Sequence, residues 1–200
     1  MEVQQGMDGQ PAPDFSLPSV QGHNVSLSQY KEQRHVILWF SRGFTCNFCR
    51  GYMDQIISHY DTLRENEIEV IQVGPNLLQS ARTFFAEPPP YPFVCDPDKR
   101  LYAVYGMGDH GVLQAARNAV VSHATSAVSG ELGTTLRGSF LDIANRNFLH
   151  RLHHHALTAI EQGVFMIDKG GVIRYSQRVG SLEKIPTGRE LLSIAQERLD

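Results

Sequence analysis

No apolar run in the 200-residue sequence approaches the ~20 residues that a membrane-spanning helix needs. No basic stripe is present either. The 18 Lys and Arg are scattered among 21 Asp and Glu, for a formal net charge of −3, which argues against nucleic acid as a main partner. Cysteine is scarce, three in all, too few to read as a disulfide framework. Internal repeats and low-complexity tracts are lacking. The opening residues Met1 to Gly6 carry neither a basic start nor an apolar stretch. A secretory leader is therefore not expected, and the expected compartment is the cytoplasm, where thiols are kept reduced. With 42% hydrophobic and 20% charged residues, the chain has the composition of a globular protein long enough to bury a core.

What is present is an ordered succession of patterns. Residues 1 to about 13 read as a loose polar arm. Phe15-Ser16-Leu17-Pro18 and Val25-Ser26-Leu27 flank Gln21-Gly22-His23-Asn24 and predict a small hairpin. His35 to Phe40 is an unbroken apolar run, the pattern of a strand buried on both faces. From Cys49 onward, Met53, Ile56, Ile57, Tyr60 and Leu63 recur at helical spacing. A strand over Glu69 to Val73 follows, then a helix over Asn76 to Phe85, closed by Pro88-Pro89-Pro90. Tyr91 to Val94 predicts a short strand and Lys99 to Tyr105 a short helix. This βαβαβ alternation implies parallel pairing.

Toward the C-terminus, Val164 to Ile167 and Val172 to Tyr175 bracket Asp168-Lys169-Gly170-Gly171 as an antiparallel hairpin. Thr187-Gly188-Arg189-Glu190 has the form of a capping box opening a last helix, with Leu191, Leu192, Ala195 and Leu199 on its apolar side. The layout is α/β: a thioredoxin-like fold over residues 1–200, its central mixed sheet flanked by helices. A helical insertion from Gly111 to Gln162 precedes the C-terminal hairpin.

Two of the three cysteines, Cys46 and Cys49, stand where the His35–Phe40 strand turns into a helix. In open α/β sheets that end of a strand is where chemistry collects. A helix N-terminus presents free N–H groups and partial positive charge, which favour thiolate over thiol, and Arg42 and Arg50 add to that field. The i, i+3 spacing lets the two sulfurs meet, so that one resolves the oxidised other. Redox work of this kind needs solvent-reachable sulfur, and burial of both thiols would count against it. A zinc site would need two further ligands, and a pair of unreactive thiols is the bland alternative.

Cys95, at a strand end, reads first as a small buried apolar residue and second as an extra resolving thiol. His150, His153 and His154 share a helix face beside His155, a metal-holding geometry that no nearby carboxylate or cysteine completes, so the cluster reads first as a solvated helix face. Phe148, Leu152 and Ala156 read as core or dimer seam. Phe44 and Phe48 line an apolar substrate rim or pack the turn, with nothing to choose between the two. No cofactor or metal is expected.

The chain also resembles a family. Gly9-Gln10-Pro11-Ala12-Pro13-Asp14-Phe15, then Phe40-x-Arg42-Gly43-x-x-Cys46-x-Phe48-Cys49-Arg50, look like the peroxiredoxin-like branch of the alkyl hydroperoxide reductase and thiol-specific antioxidant (AhpC/TSA) family. The likeness continues at Cys95-Asp96-Pro97-Asp98, Tyr105-Gly106 and Gly163 to Asp168. It implies an antioxidant oxidoreductase with Cys46, Cys49 and Arg42 at its site and a hydroperoxide or disulfide as substrate. A Cys46–Cys49 disulfide would be recycled by a thioredoxin- or glutathione-type reductant. A homodimer is left open by family habit.

The chain departs from the common pattern Pro-x-x-x-Thr-x-x-Cys. With the last Cys aligned on Cys49, Arg42 stands at the Pro and Cys46 at the Thr, while Gln162 replaces the arginine before the last strand pair. Thioredoxin logic makes Cys46 the nucleophile and the family alignment makes it Cys49. A disulfide reductase without peroxidase activity, and a non-enzymatic metal-binding or scaffold module, remain the competing readings.

Overall fold

The structure, a computed structural model, describes residues 6–108, 161–179 and 185–199, the isolated positions 128, 130, 133, 134, 136, 137, 140 and 141, and at residue 47 the backbone alone. The insertion expected over 111–162 falls almost wholly outside the described residues. So do His150, His153, His154, His155, Phe148, Leu152 and Ala156.

The apolar run His35–Phe40 forms β3, the middle strand of a five-stranded sheet ordered β5-β4-β3-β6-β7. Strands β4 (Ile68–Gly74) and β5 (Phe93–Cys95) run parallel to it. Strands β6 (Gln162–Ile167) and β7 (Ile173–Val179) are antiparallel. Ser16–Pro18 (β1) and Asn24–Ser26 (β2) make a separate two-stranded hairpin. Successive side chains of a strand point to opposite faces, so β3 divides its apolar residues between two cores. Ile37 and Trp39 enter one, and Val36, Leu38 and Phe40 the other. A strand with one wet face would need a polar residue at every second position. This one has none from Val36 on, which is why it sits in the sheet's centre.

Among the described residues the sheet is flanked by α1 (Asn47–Glu65), α2 (Leu78–Phe84), α3 (Arg100–Val104) and, in the C-terminal part, α4 (Gly188–Arg198). Cys49, Tyr52, Met53, Ile56, Tyr60 and Leu63 form the buried stripe of α1, packed in the Trp39 core together with Ala81 of α2 and Leu191 and Ala195 of α4. Ile57, expected on that stripe, is 42% exposed, and Tyr52 lies inside instead. At 3.6 residues per turn Ile57 falls roughly a quarter turn from the stripe's centre, at its edge. On the other face Leu101 and Tyr102 of α3 and the segment from Met7 to Tyr30 cover the Phe40 core.

The capping box that opens α4 is present: Thr187 Oγ1 accepts from Glu190 N at 3.4 Å, and Glu190 Oε2 accepts from Thr187 N at 2.7 Å. Next to it, a Cβ on Gly188 would lie 3.0 Å from the Gln55 carbonyl oxygen, so glycine lets α4 close on α1. Among the described residues no helix is long and apolar enough to cross a membrane.

Candidate active site

The parallel strands all end at the same edge of the sheet, and the chain leaving β3 there is held by buried polar groups. Ser41 Oγ is the hub. It donates to the Val73 carbonyl at 3.0 Å and accepts from Gly43 N at 3.1 Å and Gln72 Nε2 at 3.0 Å. Gln72 Oε1 in turn accepts from the Tyr91 hydroxyl at 3.2 Å, and the Tyr102 hydroxyl donates to the carbonyls of Ser41 and Val73. From the β4–α2 loop, Asn76 Oδ1 accepts from Phe44 N at 3.2 Å. Gly43 has φ +82, and a Cβ there would sit 2.0 Å from Asn76 Oδ1. Only glycine satisfies both the left-handed backbone and that approach. Arg50 Nη1 donates to the Phe44 carbonyl at 3.0 Å, closing the loop against α1. The segment from Ser41 to Cys46 is thus tied to β4, α1 and α3, and it delivers Cys46 as the N-cap of α1.

The sulfur does the capping: Cys46 Sγ accepts from Cys49 N at 3.3 Å. A helix start leaves N–H groups without intrahelical partners, and here a sulfur takes one of them. The two thiols differ sharply in environment. Both are buried, Cys46 with 8% of its surface exposed and Cys49 with none, so the expectation of solvent-reachable sulfur is not met in this reduced structure, and Cys46 is only the less enclosed of the two. The Cys46 thiol is lowered to about 6, first by the hydrogen bond from the Cys49 thiol, then by the Arg42 guanidinium and the backbone N–H groups of Cys49 and Phe48, against the opposing pull of burial. The Cys49 thiol is pushed well above its ordinary value by burial and by its neighbour Cys46. Its Sγ donates to Gln162 Oε1 at 3.5 Å. Ionisation of the pair is therefore lopsided, with negative charge on the sulfur nearer solvent.

The residues singled out from sequence do converge. Arg42 interacts electrostatically with both sulfurs and lies 6.0 Å from the Phe48 ring centroid. Phe44 and Phe48 part company: Phe44 is buried and stacks on Phe84 at 4.5 Å, whereas Phe48 is 46% exposed. Cys95 is buried in the Trp39 core that also holds Cys46 and Cys49, as its first reading had it. Sequence reasoning missed Ser41, Gln72 and Asn76, and it noted Gln162 only as a missing arginine. Gln72 and Gln162 carried a signal, since each interrupts or borders a run of apolar residues in a buried strand, where a polar side chain needs a partner.

With this geometry in view, comparison with known proteins gives a consistent picture. The family model described as the AhpC/TSA family matches residues 9–176. A candidate peroxiredoxin of Mycobacterium tuberculosis strain H37Rv is 28% identical over 102 residues, 49% of this chain and 62% of that protein, so the match spans less than two thirds of the relative's length. Among solved structures, the reduced 2-Cys peroxiredoxin of Plasmodium vivax superposes with TM-score 0.62 at 12% identity, covering 96% of each chain. A candidate thiol:disulfide interchange protein DsbE of Chlorobium tepidum gives TM-score 0.57 at 19% identity, covering 95% of each. At such identities the structural likeness speaks for the fold, which is thioredoxin-like.

Proposed function

This chain belongs to the AhpC/TSA family, and from that premise we propose that it is a thiol-dependent oxidoreductase that reduces hydroperoxides, with Cys46 as attacking thiolate and Cys49 as resolving thiol. The observation that carries the assignment is the asymmetry of the pair: Cys46 caps α1, is lowered to about 6 and is the less enclosed sulfur, while Cys49 is fully buried beside it as a thiol. Near neutral pH the Cys46 sulfur is then largely anionic, the form that attacks.

In the first step the Cys46 thiolate takes the terminal oxygen of the hydroperoxide. An S–O bond forms, the O–O bond breaks, and the departing alkoxide takes a proton from solvent, leaving a sulfenic acid. In the second step the Cys49 sulfur bonds to the Cys46 sulfur. The hydroxyl leaves with the Cys49 proton as water, and the product is a Cys46–Cys49 disulfide. A thioredoxin- or glutathione-type dithiol then returns the pair to the reduced state and is itself oxidised. Arg42 is the fixed cation beside the reacting sulfurs. Residues 111–162 are read as an insertion within a single thioredoxin-like unit, working in the cytoplasm, where such reductants are kept reduced.

Two measurements test the assignment. Peroxide turnover coupled to a thiol reductant should fall to background in Cys46→Ser, whereas Cys49→Ser should accumulate sulfenic acid after a single turnover. Intact mass after one equivalent of peroxide should show the loss of two hydrogens confined to Cys46 and Cys49. Turnover surviving in Cys46→Ser would sink the choice of nucleophile. A second reading, reduction of disulfides by the same pair, draws support from an acidic sulfur beside one held as a thiol, the arrangement that resolves a mixed disulfide. Reduction of insulin without peroxide turnover would select it.

A further inference from the structure

Building on the Cys46 assignment, we infer that Gln162 is a positioning residue that reinforces the separate roles of the two thiols: its Oε1 is a second acceptor for the Cys49 S–H beside Cys46 Sγ, and favours that sulfur as a thiol, leaving the negative charge to Cys46. The placement follows from the sheet. Gln162 opens β6, which pairs with β3 so that Gly163 stands opposite Phe40, the last residue before the Ser41–Cys46 loop. The side chain is buried, and its carbonyl oxygen lies 3.5 Å from Cys49 Sγ.

A carbonyl oxygen accepts from S–H and has nothing to offer S⁻. The contact thus stabilises only the protonated form of Cys49 and would place a lone pair against a thiolate. The other polar groups around Cys49 do not make the same choice. Arg42 interacts with both sulfurs, Tyr102 of α3 is itself held neutral by burial, and Cys46 shares the Cys49 proton. Among these neighbours Gln162 is the one whose side chain bonds to Cys49 without also bonding to Cys46. A cation at this point would do the reverse, drawing negative charge to Cys49 and away from Cys46.

The experiment follows thiolate formation at Cys49 in a Cys46→Ser background by ultraviolet absorbance against pH, with the Cys46→Ser/Cys49→Ser double variant as baseline. Replacing Gln162→Met, of similar length and without the acceptor, should strengthen the acidity of Cys49 about fivefold, the weight of one net hydrogen bond. Gln162→Lys should strengthen it by more than about tenfold through the added charge. In the chain with both cysteines, Gln162→Lys should also move iodoacetamide labelling near neutral pH from Cys46 toward Cys49. Either variant serves if the other does not fold, as judged by circular dichroism. A Cys49 midpoint that stays in place or rises in the folded variants overturns the role of Gln162. Failure of the underlying reading looks different: wild-type chain labelled first at Cys49 would remove Cys46 as nucleophile whatever the Gln162 variants do.

Discussion

At its carboxyl end β3 runs into several buried polar groups bonded to one another, whereas around its amino end the ties are mainly ion pairs near the surface, beside one buried acid, Glu69, that accepts from the Tyr60 hydroxyl. Ser41, Gln72, Tyr91 and Tyr102 form one connected set at the first end, with Asn76 against Gly43 beside it. At the second, Lys169 pairs with Glu67 at 2.7 Å, both in reach of water, and Arg174 pairs with the mostly covered Asp168 at 2.6 Å. The difference teaches where the molecule tolerates change. A buried donor that loses its acceptor has no water to turn to and bears the full desolvation penalty, while an exposed ion pair exchanges its partner for solvent at little cost. The carboxyl end therefore has essentially one loop shape available, and that shape is what aims the Cys46 sulfur.

The sharpest way to break this contrast is Gly43→Ala. A methyl group must occupy space 2.0 Å from Asn76 Oδ1 on a residue with φ +82. We expect a loss of roughly 2–4 kcal/mol in chemical denaturation, from left-handed strain and overpacking together. Next comes Gln72→Leu, which keeps the volume but strands the Tyr91 hydroxyl. About 1–3 kcal/mol should be lost, and a shift much below that would mean water reaches the network after all.

A graded effect follows from pH. Cys46 has a folded-state value lowered to about 6, against about 8.5 for a free thiol, so it contributes stability above the free value that is lost as pH falls through about 6. Cys49 is shifted the other way, so the folded chain retains a proton that the unfolded chain releases above about 8.5, and stability falls from there upward. Denaturation midpoints of the reduced protein should accordingly rise from about pH 6, peak near about 8.5 and then decline. The disulfide form, with neither thiol left to titrate, should lack that dome. Smallest of all is Lys169→Ala at the opposite end of the sheet, expected to shift the melting temperature by less than about 1 °C. A drop as large as that of Gln72→Leu would erase the distinction between the two ends.

Much of the frame was legible because its signals are local. The apolar run gave β3 with its observed ends, His35 and Phe40, and Thr187 with Glu190 gave the start of α4. Cys46 and Cys49 were readable from spacing and from the change of period after them. Ends that depend on partners were not. Helix α1 begins at Asn47, before the apolar period sets in, because the N-cap lies at Cys46. Strand β7 continues to Val179 through Ser176, Gln177 and Arg178, whose polarity hides a strand that ladder pairing with β6 sustains. The polar set around Ser41 was least visible, since its members come from β4, α3 and the β4–α2 loop and meet only once the strands have been ordered. The contact of Cys49 with Gln162 was equally hidden, since the two stand 113 residues apart in the chain.

The atom that closes the start of α1 is the same one proposed to react. While Cys46 is an anion, the amide of Cys49 has a strong acceptor. Once that sulfur is bonded to oxygen or to its neighbour, the acceptor is weak and the first turn loses its tie. Catalysis and local melting thus share a single sulfur, and solvent deuterium should enter the Cys49 amide faster in the oxidised chain than in the reduced one, marking redox state on the backbone itself.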